Sequence, residues 1–167
     1  MDTIFTRRSV RKFSNKEVEP EKVEQMLKAA MQAPSAGNQQ PWEFLVVTGR
    51  ENLDALQPFG QYTQPLATAT LAIIVICAED RLKIPHMYQQ DLGAATQNIM
   101  LEACELGLGS VWLGTAPVDA RIEFIQKLYN LDSSKIPYSV IAIGYPEIAD
   151  ANRFIDRFDE SRIKYIK

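Results

Sequence analysis

"TLAIIVICA", residues 70–78, is the stretch on which the fold turns. Its β-branched and apolar side chains run without interruption, so both faces of a strand formed here are covered, and the strand is expected at the centre of a sheet. At Leu71 to Ala78 the run is far too short to cross a bilayer, for which about 20 apolar residues are needed. On its N-terminal side, "WEFLVVT" (42–48) reads as a strand, followed by a short helical segment around Glu51 to Gln57. Further upstream, "PEKVEQMLKAAMQA" (20–33) sets Val23, Met26, Leu27, Ala30 and Met31 at helical spacing, with Pro20 suited to the first turn. This helix must stop near Ala33, because the residue before Pro34 is pushed out of the helical region. The polar connection "PSAGNQQP" follows.

On the C-terminal side, "DLGAATQNIMLEACEL" (91–106) places Leu92, Ala95, Thr96, Ile99, Met100 and Ala103 on one helical face, and Gly107 can supply a left-handed stop. Asp91 and Glu102 read as surface charges of this helix. "SVWLG" (110–114) is a short strand, "VDARIEFIQKLY" (118–129) a helix with Val118, Ile122, Ile125 and Leu128 inward, and "YSVIAIG" (138–144) a last strand. The tail from Ala149 to Lys167 carries Phe154, Ile155, Phe158, Ile163, Tyr165 and Ile166, more apolar content than a free tail needs, and is expected to pack on something, a second subunit included.

The chain's 167 residues suit one domain, 1–167, and its 46% hydrophobic and 23% charged content is that of a globular protein. A net charge of −3 and an isoelectric point near 5.3 argue against a general nucleic-acid binder. The start "MDTIFTRR" lacks the apolar stretch of a secretory signal, so a cytoplasmic protein without a membrane partner is expected. Cys77 and Cys104 read as small buried hydrophobes. A single histidine, His86, excludes a His-based metal cluster or a two-histidine relay, so any chemistry points to a bound cofactor.

Against that acidic background, "TRRSVRKFSN" (6–15) packs Arg7, Arg8, Arg11 and Lys12 around Ser9. Guanidinium forks beside a hydroxyl form a donor set suited to one phosphate, the strongest handle by which an acidic protein can attract a small anion. In "PSAGNQQPWEF" the crowding of Ser35, Asn38, Gln39 and Gln40 offers hydroxyl and amide groups that can read the edge of a planar heterocycle. "GLGSVWLG" (107–114) lacks the G-x-G-x-x-G spacing of a dinucleotide fingerprint, and its glycines read instead as room for a ligand to lie against backbone. Trp42 and Trp112 read as core or interface anchors.

Together "RRSVRKF" (7–13), "APSAGNQQPWEFLVV" (33–47), "DLGAATQNIMLEACELGLGSVWLG" (91–114) and "IGYP" (143–146) resemble, in order and spacing, the FMN-dependent nitroreductase family in its short form. The resemblance implies an α+β nitroreductase-like fold, with a mostly antiparallel sheet flanked by helices, assembled as an intertwined homodimer carrying FMN at the subunit interface. It implies that Arg7, Ser9 and Arg11, with Arg8 beside them, hold the FMN phosphate and ribityl chain. Pro34, Ser35, Ala36 and Asn38 would come from the other subunit, and Leu113 and Gly114 would line the ring. "DRFDESRIKY" (156–165) is similar to the family's closing segment, with Arg157 returning to the phosphate; where many relatives carry a further basic residue, this chain has Ile155. The implied activity is a two-step exchange in one pocket: NADH or NADPH delivers hydride to flavin N5 and leaves, then a nitroaromatic, quinone or similar electron-poor small-molecule acceptor takes the electrons. No side chain is implied as acid or base and no metal is required. Acceptor choice would fall to the loops Gln57 to Gln64 and Ile84 to Gln90, where Tyr62 and Tyr88 read first as packing residues. The alternative is an FMN reservoir or redox sensor without efficient turnover.

Overall fold

A computed structural model describes residues 2–167. Four strands, β1 (Trp42–Thr48), β2 (Leu71–Ala78), β3 (Gly109–Gly114) and β4 (Lys135–Gly144), form one sheet in the order β1-β2-β4-β3. Every neighbouring pair in it is antiparallel. The helices are α1 (Thr3–Thr6), α2 (Pro20–Met31), α3 (Arg50–Leu56), α4 (Tyr88–Glu105) and α5 (Asp119–Leu128). The expected α+β architecture is the one observed.

The unbroken apolar run of β2 has a direct cause, since all its residues are buried and alternate side chains enter different cores. Leu71, Ile73, Val75 and Cys77 join a cluster with Met26 and Ala30 of α2 and Leu92, Ala95 and Ile99 of α4. Ala72, Ile74 and Ile76 point the other way, among Leu53 and Leu56 of α3 and Ile125 of α5. Helices thus cover both faces of an antiparallel sheet, and polar alternation disappears from its inner strand.

The α4 stripe is buried as its spacing predicts, and the helix ends with Gly107 at φ 76. The Leu108 N–H reaches the Ala103 carbonyl at 2.8 Å and the Gly107 N–H that of Cys104 at 3.1 Å, so a Schellman turn closes the helix. Two elements differ from the sequence pattern. β4 starts at Lys135 instead of Tyr138, because Pro137 is accommodated at a register shift opposite Val75 and Ile76. In α5 only Ile125 is fully buried; Val118 is the N-cap in extended backbone and Leu128 lies in the last turn, leaving them 42% and 37% exposed. Phe124 and Tyr129 pack against the core there instead.

β3 has only one strand partner, and the N-terminal segment covers its other edge. Ser9 bridges Ser110 in parallel fashion, the Val10 N–H donates to the Ser110 carbonyl at 3.0 Å, and Phe13 pairs with Pro146. Val10 and Phe13 are buried, which anchors the arginine-rich stretch between and around them. Beyond Gly144 the chain forms no further α-helix or strand, and Phe154, Phe158, Tyr165 and Ile166 of the tail are exposed. Among the described residues no helix is long and apolar enough to cross a membrane.

Candidate functional site

The N-terminal segment and the start of the tail enclose a cleft of about 360 Å³ lined by Arg8, Ser9, Arg11, Lys12, Arg153 and Ile155, with Val10, Glu147, Ile148 and Ala151. Its position is fixed by the tail crossing back over β3. The Arg8 N–H donates to Asn152 Oδ1 at 3.0 Å, and Asn152 Nδ2 donates to the Leu108 carbonyl at 2.9 Å. Arg8 turns its Nη1 and Nη2 onto the Arg7 and Phe5 carbonyls at 2.6 and 3.0 Å, and Arg11 Nη1 reaches the Ser9 carbonyl at 3.3 Å.

Arg7 is the unusual member. Its guanidinium is half-buried, and its proton affinity is lowered by burial first, then by the like charges of Arg8 and Arg157, with Cys104 acting in the opposite sense. Arg7 Nη1 and Arg8 Nε are buried without a hydrogen-bond partner. Buried guanidinium donors are costly to leave unpaired, and here they accompany clustered like charge in place of a carboxylate. An anion satisfies both demands at once. Of the five expected phosphate residues, Arg8, Ser9 and Arg11 line the cleft, whereas Arg7 and Arg157 do not; they are close to each other and to Arg8, with Arg7 beside Cys104. Arg153, which belongs to no motif visible in the sequence, joins the lining, and Ile155 lines the same cleft where a further basic residue is absent.

From Ser110, which bridges Ser9, β3 leads to Leu113 and Gly114 about 10–13 Å along the strand at its usual rise. Leu113 and Gly114 line a second, smaller cleft of about 250 Å³ with Phe59, Tyr62, Trp112 and Arg121. Tyr62 is not a packing residue, being 69% exposed at this cleft, whereas Tyr88 packs against the core. The glycines of "GLGSVWLG" prove to have three different tasks. Gly107 stops α4, Gly109 makes room for Val10, and Gly114, which like Gly107 has no atoms within 4 Å of its would-be Cβ, leaves the backbone open at the end of β3.

Neither of these two clefts includes Pro34, Ser35, Ala36 or Asn38. They sit on the connection between α2 and β1, where Gly37, Asn38 and Gln40 all hold left-handed backbone at φ 55, 51 and 47. A buried carboxylate holds this connection in place: Asp91 accepts the Ala36 N–H at 2.9 Å and Gln39 Nε2 at 2.5 Å. Asp91 is thus not a surface charge, because its position in the first turn of α4 faces this loop and not solvent. Gln39 is likewise not a ligand reader; its Oε1 is occupied by the Lys83 and Ile84 N–H groups at 2.9 Å each. The Ser35 hydroxyl accepts the Gln40 N–H at 3.0 Å, while Asn38 is exposed.

Other candidates are settled by burial. His86 is exposed on a short turn, Trp42 is a core residue, and Trp112 meets Tyr138 edge-on at 5.7 Å between centroids. Cys77 is fully buried, which pushes its thiol up to about 12. Cys104, expected buried as well, is only partly so, and its thiol lies 3.9 Å from the Thr6 hydroxyl. Among the described residues no group of three or more His, Cys, Asp or Glu side chains could hold a metal.

A sheet of this order defines an α+β protein, and the cationic cleft at its covered edge could hold an anionic ligand. The sequence profile of the nitroreductase family matches residues 4–69 and 61–145, and the chain belongs to that family, whose members are oxidoreductases that use FMN. A relative from Archaeoglobus fulgidus, bearing the provisional name NADH dehydrogenase/NAD(P)H nitroreductase, is 44% identical over 163 residues, covering 96% of this chain and 93% of its own. A crystal structure from Clostridium acetobutylicum, provisionally called an NADH oxidase, shares 51% identity and superposes with a TM-score of 0.97 over 99% of both chains. A crystal structure from Desulfovibrio desulfuricans, provisionally called a nitroreductase and solved in complex with FMN, is 29% identical with a TM-score of 0.83, over 99% of this chain and 96% of that one.

Proposed function

We propose that the chain is an FMN-dependent NAD(P)H oxidoreductase that reduces nitroaromatics, quinones or similar electron-poor acceptors. The observation that carries this reading is the half-buried Arg7, with its unpaired Nη1, beside Arg8 and Arg157. Guanidinium groups without a carboxylate partner fit a phosphomonoester, and Arg8 and Arg11 line the partly apolar cleft with Ser9, while Arg7 and Arg157 lie outside its lining. FMN, when bound, supplies the hydride chemistry, taking reducing equivalents from NADH or NADPH and releasing them to the acceptor.

The chain's own residues then bind and orient. Arg7, Arg8, Arg11 and Arg157 hold the phosphate, and Ser9 the neighbouring ribityl oxygens. Leu113 and Gly114, further along β3, line the ring, with the open backbone at Gly114 allowing close approach. Pro34, Ser35, Ala36 and Asn38 act from a second copy of the chain, which accords with their separation from the arginines here. A homodimer with FMN at its interface is thus part of the proposal. The exposed Ile4, Phe5 and Met31, and the apolar tail, supply surface for it. The Asp91 and Gln39 contacts hold the left-handed loop in shape before a ligand arrives.

Replacing Arg7 and Arg11 together by Ala tests the assignment. Charge-assisted hydrogen bonds contribute about 1.5–3 kcal/mol each, so FMN affinity is expected to fall by roughly 100-fold or more while riboflavin affinity moves by only a few-fold. Equal losses for both ligands would refute it. Steady-state oxidation of NADH or NADPH with menadione or nitrofurazone tests turnover, and bound FMN that stays oxidised with either donor in excess would refute the enzyme.

A further inference from the structure

The cleft of about 250 Å³ beside Leu113 and Gly114 has a feature that the FMN assignment leaves unused. Arg121, in the first turn of α5, donates Nη1 to the Gly114 carbonyl at 2.7 Å, and its Nε lies 3.3 Å from where a Cβ on Gly60 would stand. Its guanidinium is thereby held between the loop around Tyr62 and the open end of β3. Arg50, Arg81 and Arg162 each pair with a carboxylate, but Arg121 forms no salt bridge among the described residues. A cation at this end of a helix also opposes the macrodipole, so α5 gains nothing from it. Trp112, Phe59 and Tyr62 supply aromatic walls. The volume lies below the ~300–1,000 Å³ common for larger ligands and suits a single ring.

We propose that Arg121 makes this cleft a subsite for small aromatic acceptors carrying a carboxylate, and that it is the residue that sets this preference. The inference rests on the oxidoreductase reading and names its substrate class. The remaining guanidinium donors match a carboxylate in forked geometry, and the aromatic walls of Phe59 and Tyr62 hold the acceptor ring beside the flavin that Leu113 and Gly114 line.

Calorimetric titration of the purified holoprotein with benzoate and with benzamide separates charge recognition from ring packing. The unaltered protein is expected to bind benzoate at least about tenfold more tightly than benzamide, a preference of the size one charge-assisted contact supplies. R121Q is expected to bring that ratio close to one, and R121K to retain part of it. Within the catalytic assay, the ratio of KM for 4-nitrobenzoate to that for its methyl ester is expected to shift in the same order. No binding of benzoate, equal affinities in the unaltered protein, or a preference that survives R121Q would overturn the proposal. A role for Arg121 as a mere clamp on the Tyr62 loop would weaken both ligands alike in R121Q and R121K, and that also overturns it. Calorimetry requires no turnover, so a flavin-loaded protein inert towards NADH and menadione would count against the oxidoreductase reading, while the benzoate ratio still reports on Arg121.

Discussion

A Cβ added to Gly109 would lie 2.7 Å from Val10 Cβ, closer than real side chains come, and Val10 is the anchor that sets the arginine segment along β3. G109A is therefore expected to destabilise the fold by about 1–3 kcal/mol, the usual range for overpacking. It is also expected to weaken FMN binding although it touches no ligand. Denaturant unfolding and a flavin titration of the same preparation check both effects; unchanged FMN affinity would show that the segment can shift without moving its arginines. At this scale the sequence is informative where chemistry is local. The clustering of Arg7, Ser9 and Arg11, the donor set proposed for a phosphate, is plain in the sequence alone. Asp91 and Gln39 do not announce themselves, because their burial comes from a loop that folds back 52 residues away in the chain.

The helices and strands are largely visible in the spacing of apolar residues, since α2, α4 and β2 each bury a pattern that belongs to one period. The start of β4 is hidden because proline normally argues against an inner strand, and only pairing with β2 reveals the bulge that admits it. Between elements, one polar cluster ties the start of α2 to the end of β4. The Tyr145 hydroxyl donates to Glu19 at 2.7 Å and receives Lys22 Nζ at 2.7 Å, while Lys16 Nζ sits 3.8 Å over the Tyr145 ring. The hydrogen bond from Tyr145, with help from Lys16, lowers the Glu19 carboxyl from about 4.5 to about 2. A carboxylate depressed in the folded state adds stability above its unfolded value and loses it as pH falls through its folded value. The difference in thermal midpoint between the unaltered protein and Y145F is thus expected to be greatest above pH 4.5 and to narrow toward pH 2. High salt is expected to reduce it, because the group is exposed to solvent. A gap that does not change with pH would contradict the coupling.

Over the whole molecule, the architecture was legible because the two cores follow from the alternation along one buried strand, whereas the apolar surface of the proposed dimer lies largely in a tail without periodic structure. The tail exposes Phe154, Ile155, Phe158, Ile163, Tyr165 and Ile166 at between 42% and 83%. Full burial of such side chains is worth ~1.5–3 kcal/mol each, enough to make the tail a main contributor to a dimer. In sedimentation at micromolar concentration the intact chain is expected to run as a dimer, and a chain ending at residue 153 to dissociate at least in part. An intact chain that sediments as a folded monomer loaded with FMN would exclude the assembly. Association of this kind couples stability to protein concentration.

The crowding of Arg7 with Arg8 and Arg157 has a thermodynamic corollary. Mutual repulsion raises the free energy of the folded chain and not of the unfolded one, so any doubly charged anion that settles among these groups works as a counterweight. The melting transition is expected to rise when chloride is exchanged for inorganic phosphate at constant ionic strength, before any vitamin-derived ligand is added, and to stop responding once Arg7 is replaced by Ala.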